Sequence, residues 1–125
     1  MKRKKILIVE DQIITAMDLM IIMEGWGYDF SEPAVSGEEA LLRVAEDTPD
    51  LVLMDVSLPG KSGLEAAREI CSRIRIPIIF TSGYPEEDLA EKIELPCPYG
   101  YLTKPIDFDE LREQIESLLK KELPQ

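Results

Sequence analysis

The sequence contains no histidine. That absence excludes a Ser-His-Asp triad, a Cys-His nucleophile pair and any His-ligated metal centre. Cysteine is scarce as well. Cys71 and Cys97 form no Cys-x-x-Cys motif and are too few for a zinc ribbon or a disulfide framework. They read as free thiols of a cytoplasmic protein. No stretch reaches the roughly 18 apolar residues of a membrane span. Basic residues are outnumbered, 14 Lys and Arg against 25 Asp and Glu, which leaves a net charge of −11. A chain this acidic lacks the basic patch that phosphate contacts need, so direct nucleic-acid binding and binding to anionic membranes are disfavoured. The start, Met1-Lys2-Arg3-Lys4-Lys5, is basic like a secretory signal. Only Ile6 to Val9 follow before Glu10 and Asp11, too short an apolar core for one. The expected location is cytoplasmic.

What is present is an ordinary globular composition, 45% hydrophobic and 31% charged over 125 residues, a length that suits one domain spanning 1–125. Three apolar runs, Ile6-Leu7-Ile8-Val9, Leu51-Val52-Leu53-Met54 and Pro77-Ile78-Ile79-Phe80, read as strands buried on both faces. Tyr28 to Val35 is a weaker strand, and Pro33 within it suits a sheet edge. Tyr99 to Leu102 is a short fifth strand. Helical spacing covers Gln12 to Glu24, a segment from near Glu38 with Ser36 as its N-cap, Gly63 to Arg73, a short polar stretch from Glu86 to Ile93, and a last helix capped by Asp107 or Asp109. Cys71 shares the inner face of the third helix with Leu64, Ala67 and Ile70. Strand and helix alternate five times, which predicts an α/β fold. Its core is a doubly wound, five-stranded parallel sheet of order 2-1-3-4-5, a flavodoxin-like (βα)5 three-layer sandwich.

In such a sheet the site lies at the carboxyl ends of the strands. Those ends deliver Glu10 and Asp11, then Asp55, then Thr81 and Ser82, and finally Lys104. Clustered carboxylates raise one another's pKa unless a cation neutralises them. A hard divalent ion fits, and Mg²⁺ fits best, because it takes one or two carboxylates and accepts phosphoryl oxygens. Lys104 supplies a compact positive charge for a phosphoryl oxygen and Thr81 a hydroxyl donor. These parts suit phosphoryl transfer onto the Asp55 carboxylate.

Glu10-Asp11, Asp55, Thr81 and Lys104-Pro105, in the strings Ile-Leu-Ile-Val-Glu-Asp, Leu-Val-Leu-Met-Asp and Tyr-Leu-Thr-Lys-Pro, resemble the signature of the response-regulator receiver (CheY-like) domain of two-component signalling. The resemblance covers about Lys4 to Leu123. It implies that Asp55 is the phosphoacceptor and that Asp11 and Asp55 bind Mg²⁺ directly. Glu10 then helps through water and the Ser57 carbonyl is a further ligand. It implies that Lys104 pairs with Asp55 or its phosphoryl group, that the Lys104-Pro105 peptide bond is cis, and that Thr81 and Tyr101 form the switch. Such a domain catalyses only its own phosphorylation and dephosphorylation. Its partners are a sensor histidine kinase or phosphotransfer protein and a downstream protein target.

Ser82 stands where the family most often has alanine, and Gly83 and Ser57 stand where it tunes phosphoryl lifetime. The segment from Tyr84 to Gly100 carries Pro85, Pro96 and Pro98 in a region that reports phosphorylation in the family. The first helix is too apolar for one buried face. Ile13, Ile14, Met17, Leu19, Met20, Ile21, Ile22 and Met23 cannot all point inward, so some are expected to be exposed, with Ile14 or its neighbours in a kinase-docking or homodimer surface.

No output domain is expected after the last helix. The chain reads as a stand-alone regulator, a relay intermediate, or a receiver excised from a hybrid kinase or larger regulator. Three other readings compete. A haloacid-dehalogenase-like phosphohydrolase needs an acid where Ser57 stands. A flavin module needs a phosphate-cradling first loop where Glu10-Asp11 stand. A phosphorylation-independent interaction module has no need of the full set of site residues.

Overall fold

Strand and helix alternate along the chain as the periodicity predicts. The computed structural model describes residues 3–83 and 94–121. Its elements are β1 (Lys5–Val9), α1 (Ile13–Glu24), β2 (Asp29–Phe30), α2 (Gly37–Glu46), β3 (Leu51–Asp55), α3 (Gly63–Arg73), β4 (Ile78–Ser82), β5 (Tyr99–Thr103) and α4 (Phe108–Lys121). The helix expected over Glu86 to Ile93 lies outside the described residues. The five strands form one parallel sheet in the order β2-β1-β3-β4-β5.

Successive residues of a strand face opposite sides, so a strand covered on both faces must be apolar at every position. Ile6, Ile8, Leu51, Leu53, Ile79 and Leu102 pack on one side against Ala16, Leu19 and Met23 of α1 and Leu111, Ile115 and Leu118 of α4. Leu7, Val9, Val52, Met54, Ile78 and Phe80 pack on the other against Ala40 and Val44 of α2 and Ala66, Ala67 and Ile70 of α3. Each such side chain contributes about 1.5–3 kcal/mol through burial, which holds the strand ends, and with them the site, in a rigid frame.

Local signals start the helices where expected. Ser36 Oγ accepts the Glu39 N–H at 3.1 Å and Ser62 Oγ accepts the Glu65 N–H at 3.2 Å, each serving an amide that the first turn leaves unpaired. Asp107 Oδ1 accepts the N–H groups of Asp109 and Glu110.

Two expectations change. β2 is two residues long rather than the expected Tyr28 to Val35, with one further bridge from Val9 to Ala34. Regular pairing stops after Phe30 and is interrupted across Pro33, which cannot donate to the ladder, and it resumes at Ala34, whose N–H donates to the Ile8 carbonyl at 3.0 Å. The apolar surplus of α1 resolves by helix geometry. Ala16, Leu19 and Met23 are buried, while Ile13, Ile14, Met17 and Ile21 are 64%, 77%, 55% and 69% exposed. The second change is a correction. Cys71 and Cys97 are not free thiols but a disulfide, with Cα atoms 5.8 Å apart. The parallel pairing of β4 with β5 returns the chain to the edge of α3, so residues 26 apart in sequence meet.

Candidate functional site

The carboxyl ends of β1, β3, β4 and β5 converge at one edge of the sheet. The β3–β4 register sets Asp55 opposite Thr81, and the β4–β5 register sets Phe80 opposite Tyr101. The Lys104 N–H donates to the Ser82 carbonyl at 2.7 Å, which extends the ladder beyond β5 and aims the lysine back at β3. Lys104 Nζ donates to Asp55 Oδ2 at 3.2 Å and lies 3.6 Å from Glu10 Oε2. The Ser57 N–H donates to Asp55 Oδ1 at 3.0 Å, so both oxygens of Asp55 are held. The Lys104-Pro105 peptide bond is cis, as the resemblance implied.

Oxygens of Glu10, Asp11 and Asp55 all lie within 4.8 Å of one another. Asp55 and Glu10 are only 3% and 4% exposed, whereas Asp11 faces solvent. Glu10 Oε1 is buried with no hydrogen-bond partner among the described residues. Burial pushes the Glu10 carboxyl up to about 7. Asp55 adds to the shift, because it repels the charge and can accept the proton, while Lys104 opposes it. An orphaned buried oxygen within a three-carboxylate cluster that Lys104 alone compensates only in part is a donor set that suits a hard divalent cation, and Mg²⁺ matches its all-oxygen character. A cleft of about 330 Å³ opens beside the cluster, lined by Glu10, Gln12, Thr15, Lys104, Pro105 and Phe108.

Thr81 and Ser82 are buried at the end of β4. Tyr101 is only 7% exposed and belongs to the apolar cluster with Phe80, so its ring is turned inward. Sequence reasoning missed one residue that shapes the site. Gly63 opens α3 directly against the backbone at the end of β3. A Cβ there would meet the Asp55 carbonyl oxygen at 2.1 Å and the Val56 Cα at 2.9 Å. Its N–H donates to the Val56 carbonyl at 3.1 Å. A glycine at a helix start reads as an ordinary cap-region residue, and the sequence carries no sign of the strand end lying against it.

The family described as response regulator receiver domain matches residues 6–116. The chain belongs to this family. It is 34% identical over 113 residues to the transcriptional regulatory protein PdtaR of Mycobacterium tuberculosis, covering 90% of this chain and 55% of that protein. The chain thus spans about half the length of the curated relatives it matches. Among solved structures it resembles the signal receiver domain of a modulated diguanylate cyclase from Desulfovibrio desulfuricans, with TM-score 0.82, 33% identity and 96% of each chain covered. It also resembles the receiver domain of the sensor histidine kinase PA1611 from Pseudomonas aeruginosa, with TM-score 0.81, 25% identity, and 95% of this chain and 99% of that one covered. That domain was solved with a magnesium ion coordinated in its active-site cleft. Receiver domains act in two-component systems, between histidine kinases or phosphotransfer proteins and downstream partners. Among the described residues of this receiver, no helix is long and apolar enough to cross a membrane.

Proposed function

We propose that this receiver is a cytoplasmic, phosphorylation-dependent switch in which Asp55 accepts a phosphoryl group from the phosphohistidine of a sensor kinase or phosphotransfer protein. One observation carries the reading. A buried carboxylate at the end of a central strand is held on one oxygen by Lys104 and on the other by the Ser57 N–H, with two further carboxylates within reach. Asp11, Asp55 and the Ser57 carbonyl would hold Mg²⁺, with Glu10 beside them, and the bound ion would neutralise charge on the phosphoryl oxygens. The Asp55 carboxylate attacks phosphorus in line while the bond to the donor nitrogen breaks, and the electron pair leaves with the imidazole. Lys104 is released from Asp55 to a phosphoryl oxygen, and the Thr81 hydroxyl donates to another. That shift of Thr81, with Tyr101 packed behind it, biases the face formed by β4, β5 and α4, which a downstream protein reads. The domain turns over no external substrate and makes no direct nucleic-acid contact.

Incubation with acetyl phosphate tests this reading. Intact-mass spectrometry should show one phosphoryl adduct with Mg²⁺ and none with EDTA. A folded protein that gains no adduct with Mg²⁺ would overturn it.

The exposed stripe of α1 supports a docking role toward the phosphodonor protein. Ile14→Glu puts a charge in the middle of that stripe without touching the core. It should slow phosphotransfer from the cognate kinase by about tenfold or more, with uptake from acetyl phosphate and thermal stability unchanged. Unaltered kinase transfer would rule this docking face out.

A further inference from the structure

Cys71 and Cys97 take no part in the chemistry above. Both are buried, 8% and 4% exposed. They join the third turn of α3 to the chain two residues before β5. The join lies where the sheet is most consequential. The Pro98 carbonyl accepts the Ile78 N–H at 3.1 Å, which starts the β4–β5 pairing, and the Tyr99 ring packs edge-on against Phe80 at 5.9 Å. The bridged loop contains all of β4, including Thr81, and ends at the strand that carries Tyr101 and leads to Lys104. A covalent link between α3 and this point restrains the two strands that bear the switch residues.

The surroundings also suit the reduced form. Cys97 Sγ lies 3.7 Å from the Ile74 carbonyl oxygen. That oxygen would accept the Cys97 S–H once the pair is reduced, so opening the bridge leaves this buried donor with a partner. In a reducing compartment a disulfide is rare, and where one forms it is usually redox-sensing rather than structural.

We propose that Cys71 and Cys97 are a reversible dithiol–disulfide pair that gives this receiver a redox input, setting how firmly the β4–β5 pair is held. The compartment argument rests on the cytoplasmic reading above, whereas the chemistry does not. The oxidant is a low-molecular-weight disulfide of the glutathione class. One cysteine thiolate attacks a sulfur of that disulfide, its S–S bond breaks, and one small thiol leaves. The second cysteine attacks the resulting mixed disulfide at the protein sulfur, and the second small thiol leaves. The protein gives up two electrons and two protons, and the small disulfide leaves as two thiols. Reduction reverses both steps.

The full chain would be equilibrated in mixtures of reduced and oxidised glutathione, quenched in acid, alkylated under denaturing conditions, and weighed intact. Hydrogen exchange over Tyr99–Thr103 would be read on the same samples. We expect a protein with no alkyl group at oxidising ratios and with two at reducing ratios. The β5 amides should exchange about tenfold or more faster in the reduced form, as loss of a cross-link raises local opening. Two alkyl groups at every ratio would overturn the proposal. So would a bridge that survives the most reducing mixture, or reversible oxidation with no change at β5. Neither readout involves Asp55, so failure of the phosphoacceptor reading and failure of the redox pair are separately visible.

Discussion

Gly63→Ala is expected to cost about 3 kcal/mol or more of folding stability, in the upper range for overpacking a buried site. The added methyl has nowhere to go. It would sit 2.1 Å from the Asp55 carbonyl oxygen and 2.9 Å from the Val56 Cα, both backbone atoms rather than the flexible end of a side chain. Either α3 lifts from the sheet, which exposes Ala66, Ala67 and Ile70, or the end of β3 moves. The second response displaces the Asp55 carboxylate from Lys104. Thermal denaturation should show a midpoint lower by about 10 °C. Phosphoryl uptake well below that midpoint should fall by about tenfold or more, because a small misplacement of a reacting group is costly. Gly83→Ala is the control. Among the described residues a Cβ at Gly83 meets nothing within 4 Å, so its stability should stay within about 0.5 kcal/mol of the parent. Equal midpoints for Gly63→Ala and the parent would mean that the α3–β3 contact is looser than described.

The second large effect is the pH dependence of the metal-free protein. Glu10 holds its proton up to about 7 when folded, against an ordinary value of 4.5. Between those values the folded state binds a proton that the unfolded chain has lost, so stability falls as pH rises. The contribution is fully present below the ordinary value and is lost as pH rises through about 7. It amounts to at most about 3 kcal/mol. With no histidine in the chain, no imidazole titrates in the same window. In EDTA, the urea midpoint should therefore drop between about pH 5.5 and about pH 8. Glu10→Gln, which keeps the shape and removes the titration, should flatten that drop and be the more stable protein at the alkaline end. Mg²⁺ should stabilise the parent more at the alkaline end, since the ion competes with the proton for the cluster. A parent whose midpoint rises with pH over this range would contradict the reading of Glu10.

The strands, their order and the convergence of Glu10, Asp11, Asp55, Thr81 and Lys104 were legible in the sequence for a physical reason. A parallel sheet covered on both sides forces unbroken apolar runs, and the first polar residue after each run falls at the site edge. Asp55 and Lys104 are 49 residues apart, yet their meeting at 3.2 Å follows from strand order alone. What was not legible depends on how elements pack. The Cys71–Cys97 bridge needs α3 and the approach to β5 to be neighbours, which two isolated cysteines do not announce. The shortness of β2 turns on an interruption around Pro33, with pairing regained only at Ala34. The close approach of Gly63 to Asp55 is a contact between backbones, and no side-chain pattern encodes it. In α1 the surplus of apolar residues and the exposure of Ile14 and its neighbours were visible, but the full extent of the outward stripe, as far as Ile21, was decided by the helix's rotation on the sheet.

The central claim is that Asp55 is the residue that carries the phosphoryl group. The most direct test is to load the protein with acetyl phosphate and Mg²⁺ and reduce the acyl phosphate with borohydride, which converts a phosphorylated aspartate to homoserine. Tandem mass spectrometry then locates the mark, with Asp55→Asn treated in parallel. The account predicts a mark at position 55 alone in the parent and none in Asp55→Asn. A mark at Glu10, Asp11 or any other carboxylate, or undiminished phosphoryl uptake by Asp55→Asn, would contradict it.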